Sequence, residues 1–135
     1  MVSIDCRDGL WPDPPESPES TAFVAAAREG RFLLRRCIAC GKAHWYPRAR
    51  CPFCFGETAW EEASGRGTVY SYTVLAREAP PRSLAYVALE EGPIMLTSLV
   101  SCNSSSLAVG QAVTLVFERS QNGTPVPCFR PAAGG

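Results

Sequence analysis

Short runs of alternating apolar and polar residues fill the second half of the chain, from Gly65 onward. This alternation is typical of β-strands with one buried face, because successive side chains point to opposite faces of a sheet. Turn formers such as Glu91-Gly92-Pro93 separate the runs. The pattern predicts five strands: Thr68 to Leu75, Leu84 to Glu90, Ile94 to Val100, Val113 to Glu118 and Val126 to Phe129.

Five strands without intervening helices predict a mainly β protein with a small closed or partly open barrel over residues 63–131. The five-stranded OB fold is the commonest barrel of this kind, and a small sandwich is the alternative. Tyr70 and Tyr72 alternate on the first barrel strand, so we expect them to share a face. Base stacking on such aromatic residues is one explanation of the pair, and core packing is the other.

The two ends of the chain have the composition of unstructured segments. Residues 1–19 hold four prolines among acidic and small residues, which disfavours a helix and predicts a flexible or extended arm. Trp11 is the exception in this arm, since its large side chain is suited to docking. Residues 132–135 are small and are expected to form a frayed tail.

Residues 20–31 predict one short helix. Ser20 is a candidate N-cap, and Gly30 stands where a left-handed C-terminal cap is expected. About ten residues are marginal as an isolated helix, so the apolar side, which includes Phe23, has to pack on a neighbouring element.

Two Cys-x-x-Cys pairs, here called the first and second knuckle, follow a short strand predicted from Phe32 to Arg36. Ten residues separate the pairs, enough for the chain to run out and back as a hairpin. Four sulfur atoms can then close a tetrahedron with Zn–S distances of about 2.3 Å. Residues 32–62 therefore predict a rubredoxin-like zinc ribbon that binds one metal ion through Cys37, Cys40, Cys51 and Cys54.

Zinc is the default ion at this site, although a tetrahedral set of four thiolates also accepts iron. Four thiolates leave no coordination position for a reacting water, so the metal is expected to be structural. Two redox-active Cys-x-x-Cys pairs are the alternative. Such pairs typically stand in a βαβ context, and the pattern around these cysteines lacks one.

The remaining cysteines and the only histidine are expected to play no part in the metal site. Cys6, Cys102 and Cys128 are predicted to be unligated thiols, with Cys128 buried in a strand as a small apolar residue. His44 lies between the knuckles. Because four cysteines already suffice for the ion, we expect His44 to be an exposed loop residue.

A basic segment coincides with the knuckles, although the whole chain balances 13 basic against 13 acidic residues. Between residues 28 and 50, Glu29 is the single acidic residue among several basic ones. Arginine suits bidentate contact with phosphate or carboxylate. The segment is therefore a candidate contact for a phosphorylated cofactor, an acidic partner or nucleic acid, and a merely solvated face is the alternative.

The balanced charge gives the molecule as a whole no attraction to nucleic acid or to an anionic membrane. The apolar stretches are far shorter than the roughly 18 residues that span a bilayer. The acidic, proline-containing N-terminus also lacks the pattern of a secretion signal. We therefore expect a cytoplasmic protein with no membrane partner, whose cysteine pairs stay reduced.

The chain carries two cysteine knuckles, the segment Pro47-x-x-x-Cys51-Pro-x-Cys54, Gly65-Arg66-Gly67 at the start of the barrel and a closing Phe129-Arg130-Pro131. In these features it resembles the small zinc-ribbon and OB-fold proteins known as domain-of-unknown-function family thirty-five. The resemblance extends from Thr21 to Pro131. Members of this family accompany thiolases and other acyl-CoA enzymes.

The resemblance implies a non-catalytic accessory subunit, needed for the assembly of a thiolase-like acyl-CoA enzyme and for acyl-CoA handling. The catalytic residues would belong to the partner subunit, and acyl-CoA would lie at or near the subunit junction. The four cysteines carry over residue by residue, and Arg36 and Arg48 stand where the family tends to be basic. Candidate residues for contact with the partner or with coenzyme A are Arg35, Arg36, Lys42, Trp45, Tyr46, Arg48 and Arg50.

Two other functions are less well supported by the sequence. A module that binds single-stranded nucleic acid fits a zinc ribbon joined to an OB-like barrel, but five arginines against four glutamates from Gly65 onward make a poor groove for a polyanion. A small acyl-CoA hydrolase acting alone is disfavoured, because the chain offers one histidine and a saturated metal site.

Overall fold

A computed structural model describes residues 3–4, 11–14, 17–45, 48–75, 77, 82–103, 105 and 107–132. Among these residues, no helix combines the length and the apolar character that a bilayer crossing requires. The elements are β1 (Ser3–Ile4), α1 (Thr21–Arg28), β2 (Leu33–Cys37), β3 (Ala43–His44), β4 (Thr58–Glu62), β5 (Arg66–Leu75), β6 (Arg82–Leu89), β7 (Ile94–Leu99), β8 (Cys102–Asn103), β9 (Ala112–Arg119) and β10 (Pro125–Pro131).

Five of these strands close into a barrel in the order β10-β7-β6-β5-β9. The predicted mainly β architecture, with one short helix and a five-stranded barrel, is therefore confirmed, and the sandwich alternative is wrong. Strand β10 completes the barrel by pairing antiparallel with β9 and parallel with β7, where Phe129 stands opposite Leu99. Closure leaves the barrel without an unpaired edge strand.

The interior of the barrel is filled by apolar side chains from alternate positions of its strands. Phe129, Leu99, Val87, Val69 and Val113 are almost completely buried. Where β5 pairs with β6, position 67 has no room for a side chain. A Cβ on Gly67 would lie 2.6 Å from Val87 Cγ1, which explains glycine at that position.

A β-bulge in β5 overturns the expectation that Tyr70 and Tyr72 share a face. Val69 pairs with Val87 and Ser71 pairs with Tyr86, so Tyr70 is an extra residue in the strand. The extra residue shifts the alternation by one position. Tyr72 stands opposite buried Ala85, donates a hydrogen bond to the Leu107 carbonyl at 3.0 Å and is 38% exposed, whereas Tyr70 is 61% exposed. Core packing therefore does not explain Tyr70.

Parts of the N-terminal arm contact the barrel. Strand β1 pairs antiparallel with β8. Trp11 forms a parallel bridge with Ser120, and its carbonyl accepts a hydrogen bond from the Gln121 N–H at 3.1 Å. The Asp13 carboxylate accepts a hydrogen bond from the Asn122 N–H at 2.9 Å. These contacts place residues 11–13 beside the β9–β10 turn.

Phe32 joins the helix, the cysteine region and the barrel. Its buried ring lies 6.1 Å from the ring of Phe23 on α1, 5.6 Å from Trp45 and 6.4 Å from Phe117 on β9, measured between ring centroids. Edge-on and tilted arrangements at these distances are the favourable geometries of aromatic pairs. The helix thus finds its neighbour in this chain, and all three parts share one hydrophobic core.

Replacing Phe32 with alanine is expected to lower the free energy of unfolding by about 3–5 kcal/mol, because a buried ring is lost from the joint of three elements. Urea denaturation followed by circular dichroism in the presence of zinc measures this change. The matched control is Phe53→Ala, whose ring is exposed. The control is expected to cost about 1 kcal/mol or less. Equal losses in the two variants would contradict the assignment of Phe32 as the joint.

Candidate metal centre

A three-stranded sheet in the order β3-β2-β4 carries the cysteines. Strand β2 ends at Cys37, which stands opposite Thr58 at the start of β4. An isolated bridge between Arg50 and Glu57 brings the second knuckle to the same end of the sheet. The two knuckles are therefore turns that project from one end of a small ribbon.

The two knuckles have the same internal hydrogen bonds. In the first, the Gly41 N–H donates to the Cys37 carbonyl at 3.1 Å, and in the second, the Phe55 N–H donates to the Cys51 carbonyl at 2.9 Å. The residue after the second cysteine has a positive φ in both, 77° at Gly41 and 64° at Phe55. Backbone N–H groups also point at the sulfur atoms, since the Cys40 N–H lies 3.3 Å from Cys37 Sγ.

The four cysteine Sγ atoms all lie within 4.8 Å of one another. The distance from Cys37 Sγ to Cys54 Sγ is 3.5 Å, and the distance from Cys40 Sγ to Cys51 Sγ is 3.7 Å. A tetrahedral ion with four bonds of about 2.3 Å separates its sulfur ligands by about 3.8 Å. The four sulfur atoms are thus positioned to bind one tetrahedral metal ion.

Gly56 leaves room for the sulfur atoms. A Cβ at this position would lie 3.2 Å from both Cys37 Sγ and Cys54 Sγ and 3.1 Å from Ala39 Cβ. Glycine fits position 56 because the backbone comes close to the sulfur cluster there.

The pKa values of Cys37 and Cys54 are shifted in opposite directions by their surroundings. The Cys40 N–H is the main reason that the pKa of Cys37 falls to about 6. At Cys54 the Gly56 N–H lowers the pKa, but the neighbouring thiols and burial together raise it to about 12. Cys37 is therefore the more acidic of these two ligands. A metal ion that binds all four sulfur atoms has to displace protons, so its affinity falls on acidification.

His44 is not the exposed loop residue that the sequence predicted. It belongs to β3, opposite Arg35 on β2, and only 6% of its surface is exposed. Its Nε2 lies 3.3 Å from the Arg48 carbonyl. Pairing with β2 converts the predicted loop into a strand and buries the ring. His44 does not belong to the ligand cluster, so the expectation that it is not a ligand agrees with the geometry.

Two of the candidate contact residues make tight contacts within the ribbon. The Arg35 guanidinium lies 4.3 Å from the ring centroid of Trp60, a cation–π arrangement. Arg36 forms an ion pair with Glu61 at 2.8 Å and donates to the Gly41 carbonyl at 2.7 Å. These contacts tie β2 to β4 and to the first knuckle.

The other candidate contact residues differ in exposure. Trp45 is half-buried against Phe23, with ring centroids 5.2 Å apart. Lys42, Arg48 and Arg50 are exposed at the knuckle end of the ribbon. Tyr46 lies outside the described residues. For all seven candidates, contact with a partner or with coenzyme A stays a prediction.

Two of the remaining cysteines lie in the barrel region and are buried, Cys102 in β8 and Cys128 in β10. Neither belongs to the metal cluster. Cys128 is completely buried, as expected for a small apolar residue in a strand. Its neighbour Phe129 is also completely buried, so β10 is covered on both faces. Cys6 lies outside the described residues.

Two family models match adjacent parts of the chain. The rubredoxin-like zinc ribbon domain of ChsH2 matches residues 24–61, and the C-terminal OB-fold domain of ChsH2 matches residues 60–118. The chain therefore contains a zinc ribbon, and its four cysteines are positioned to bind one metal ion.

Relatives of the chain carry names from acyl-CoA metabolism and from scaffolding. A probable enoyl-CoA hydratase alpha subunit of Thermomonospora curvata is 33% identical over an alignment of 131 residues that covers 91% of this chain. This chain spans only 40% of the length of that relative. A DUF35 domain-containing scaffold protein of Methanothermobacter thermautotrophicus is 32% identical over 92 residues, covering 62% of this chain and 69% of that protein.

Two solved structures share the fold. A chain of the Ltp2-ChsH2(DUF35) aldolase is 31% identical with a TM-score of 0.77, covering 90% of this chain and all of that one. A DUF35-family protein of Sulfolobus solfataricus has a TM-score of 0.64 at 17% identity, covering 86% of this chain and 87% of that one. At that identity, the second likeness shows the fold alone.

Replacing Cys51 with serine is expected to reduce the zinc content from one ion per chain to nearly none, because the loss of one thiolate opens the tetrahedron. Elemental analysis of the purified protein measures the ratio. The matched control is Cys128→Ala, which removes a buried thiol outside the cluster. The control is expected to keep one ion. A Cys51→Ser variant with full zinc content would contradict the assigned ligand set.

Proposed function

The chain belongs to the family of ChsH2 and DUF35 zinc-ribbon and OB-fold proteins, and on this premise we propose that it is a non-catalytic accessory subunit of a thiolase-like acyl-CoA enzyme. The partner subunit supplies the reacting groups for carbon–carbon bond cleavage, bond formation or acyl transfer. This chain supports the assembly of the complex and the handling of acyl-CoA at the subunit junction.

The main support for this proposal is the structural similarity to the aldolase chain. That likeness covers all of the solved DUF35 chain at 31% identity, so the ribbon, the helix and the barrel are matched as one unit. Relatives described as scaffold proteins support a non-catalytic role. The acyl-CoA part rests on the name of the Thermomonospora relative and on the exposed cations of the ribbon.

The chemistry of the described residues is consistent with an accessory role. Four thiolates saturate a tetrahedral ion, which leaves no position for a substrate or an activated water. His44 is buried, and its Nε2 lies beside a backbone carbonyl. The only histidine of the chain is therefore not placed as an accessible general base.

The nucleic-acid alternative loses support from the arrangement of the barrel. Tyr70 and Tyr72 lie on different faces because of the bulge in β5, so they do not form a continuous stacking platform. Arg66, at the start of the barrel, forms an ion pair with Glu90 at 2.6 Å. Neither feature favours a groove for a polyanion.

The test is co-expression of this chain with a candidate thiolase-fold partner from the same genome. We expect a stable complex on size-exclusion chromatography. We also expect the partner's thiolysis or aldol cleavage of acyl-CoA to fall about tenfold or more when this chain is omitted. The Cys51→Ser variant should fail to restore activity, because the ribbon is not clamped, whereas Cys128→Ala should restore it. A partner that is fully active alone and forms no complex would rule the proposal out.

A further inference from the structure

We propose that Ile38, Phe53 and Phe55 form a docking surface that inserts into an apolar socket with an acidic rim on the partner subunit. These three side chains, called the knuckle tip below, stand next to the metal ligands on the two knuckles. Their exposed fractions are 68%, 59% and 79%, respectively. The inference rests on the proposed function, since it names the surface through which that partner is held.

Phe55 is the observation that singles out this surface. Its φ of 64° lies in the left-handed region, where the equivalent residue of the first knuckle is Gly41. A side chain with a Cβ is strained there, and bulky residues rarely adopt this conformation. Most of the Phe55 ring is exposed, so packing within the chain does not offset the strain. A partner that buries the ring accounts for a residue that weakens the isolated ribbon.

The charge around the knuckle tip defines the partner surface. Residues 37–56 contain Lys42, Arg48 and Arg50 and no acidic residue. The Lys42 ammonium lies 4.8 Å from the ring centroid of Phe53, so a cation borders the apolar side chains directly. Two acidic residues border this stretch. The Glu19 carboxylate accepts a hydrogen bond from the Ala49 N–H, and exposed Glu57 stands opposite Arg50. An apolar socket rimmed by carboxylates complements this pattern.

The same charges favour a different protein over a second copy of this chain. A symmetric contact between two knuckle tips would bring Lys42 and Arg50 of one copy towards those of the other, and like charges at an interface are unfavourable. The metal clamp fixes both turns, so the exposed rings are held in place before binding. Large apolar side chains presented without further ordering are typical of interface hot spots.

The test uses Phe55→Gly, for which stability and binding are expected to change in opposite directions. Glycine relieves the positive φ, so the melting temperature of the zinc-loaded chain should stay equal or rise. Affinity for the purified thiolase-fold partner, measured by isothermal titration calorimetry, should fall about thirtyfold or more, the scale of a hot-spot residue. Zinc content should remain one ion per chain.

Ile38→Ala and Val109→Ala form a matched pair for the same titration. Both aliphatic side chains are 68% exposed, but Val109 lies in the turn before β9, apart from the knuckles. We expect Ile38→Ala to weaken binding about tenfold, whereas Val109→Ala should bind like the unaltered chain. Equal effects in the two variants would overturn the proposal, because the loss would then not be specific to the knuckle tip.

The remaining outcomes separate this inference from the proposed function. If the unaltered chain binds the partner and Phe55→Gly binds equally well, the docking surface is wrong while the accessory role stands. If Phe55→Gly loses zinc or melts at a lower temperature, Phe55 supports the fold and the proposal fails. If the unaltered chain does not bind the partner, both fail. Phe55-dependent binding to vesicles containing phosphatidylserine, without partner binding, would also overturn the proposal in favour of a membrane contact.

Discussion

Four sulfur atoms within 4.8 Å of one another are the constraint on which the ribbon depends. Four thiolates at this distance repel, and a bound cation makes their proximity favourable. The knuckles have little else to hold them, since most residues from Ile38 to Glu57 are exposed or half-buried. The metal takes the place of a hydrophobic core at this end of the molecule. Because the metal stabilises this end of the molecule, the backbone comes close to the sulfur atoms at Gly56, and backbone N–H groups point at sulfur.

Aromatic packing around Phe32 connects the ribbon to the helix and to the barrel. Helix α1 and the barrel meet the ribbon at this ring, and a single apolar cluster includes side chains from all three. The ion pair of Arg36 with Glu61 and the stacking of Arg35 on Trp60 hold β2 against β4. The cysteine region and the barrel are thus joined through one apolar core.

Spacing and alternation in the sequence were sufficient to predict the architecture. The two Cys-x-x-Cys pairs specify the ligand set, because four thiolates at that separation have one common arrangement. The barrel strands follow from their period of two. Alternation fails where a strand carries an extra residue, so the bulge at Tyr70 was missed. The burial of His44 was missed because β3 is two residues long and exists only through its pairing with β2. Residue propensities also did not predict the left-handed backbone of Phe55, because they favour glycine in that conformation.

Parallel closure of the barrel has a consequence for synthesis on the ribosome. The ribbon is complete once Glu62 has been made, whereas β10, which pairs with β7 through Phe129 and Leu99, begins only at Pro125. During translation, the local cysteine module can therefore capture its ion while the barrel is still open. The order of synthesis thus allows metal binding to precede closure of the barrel.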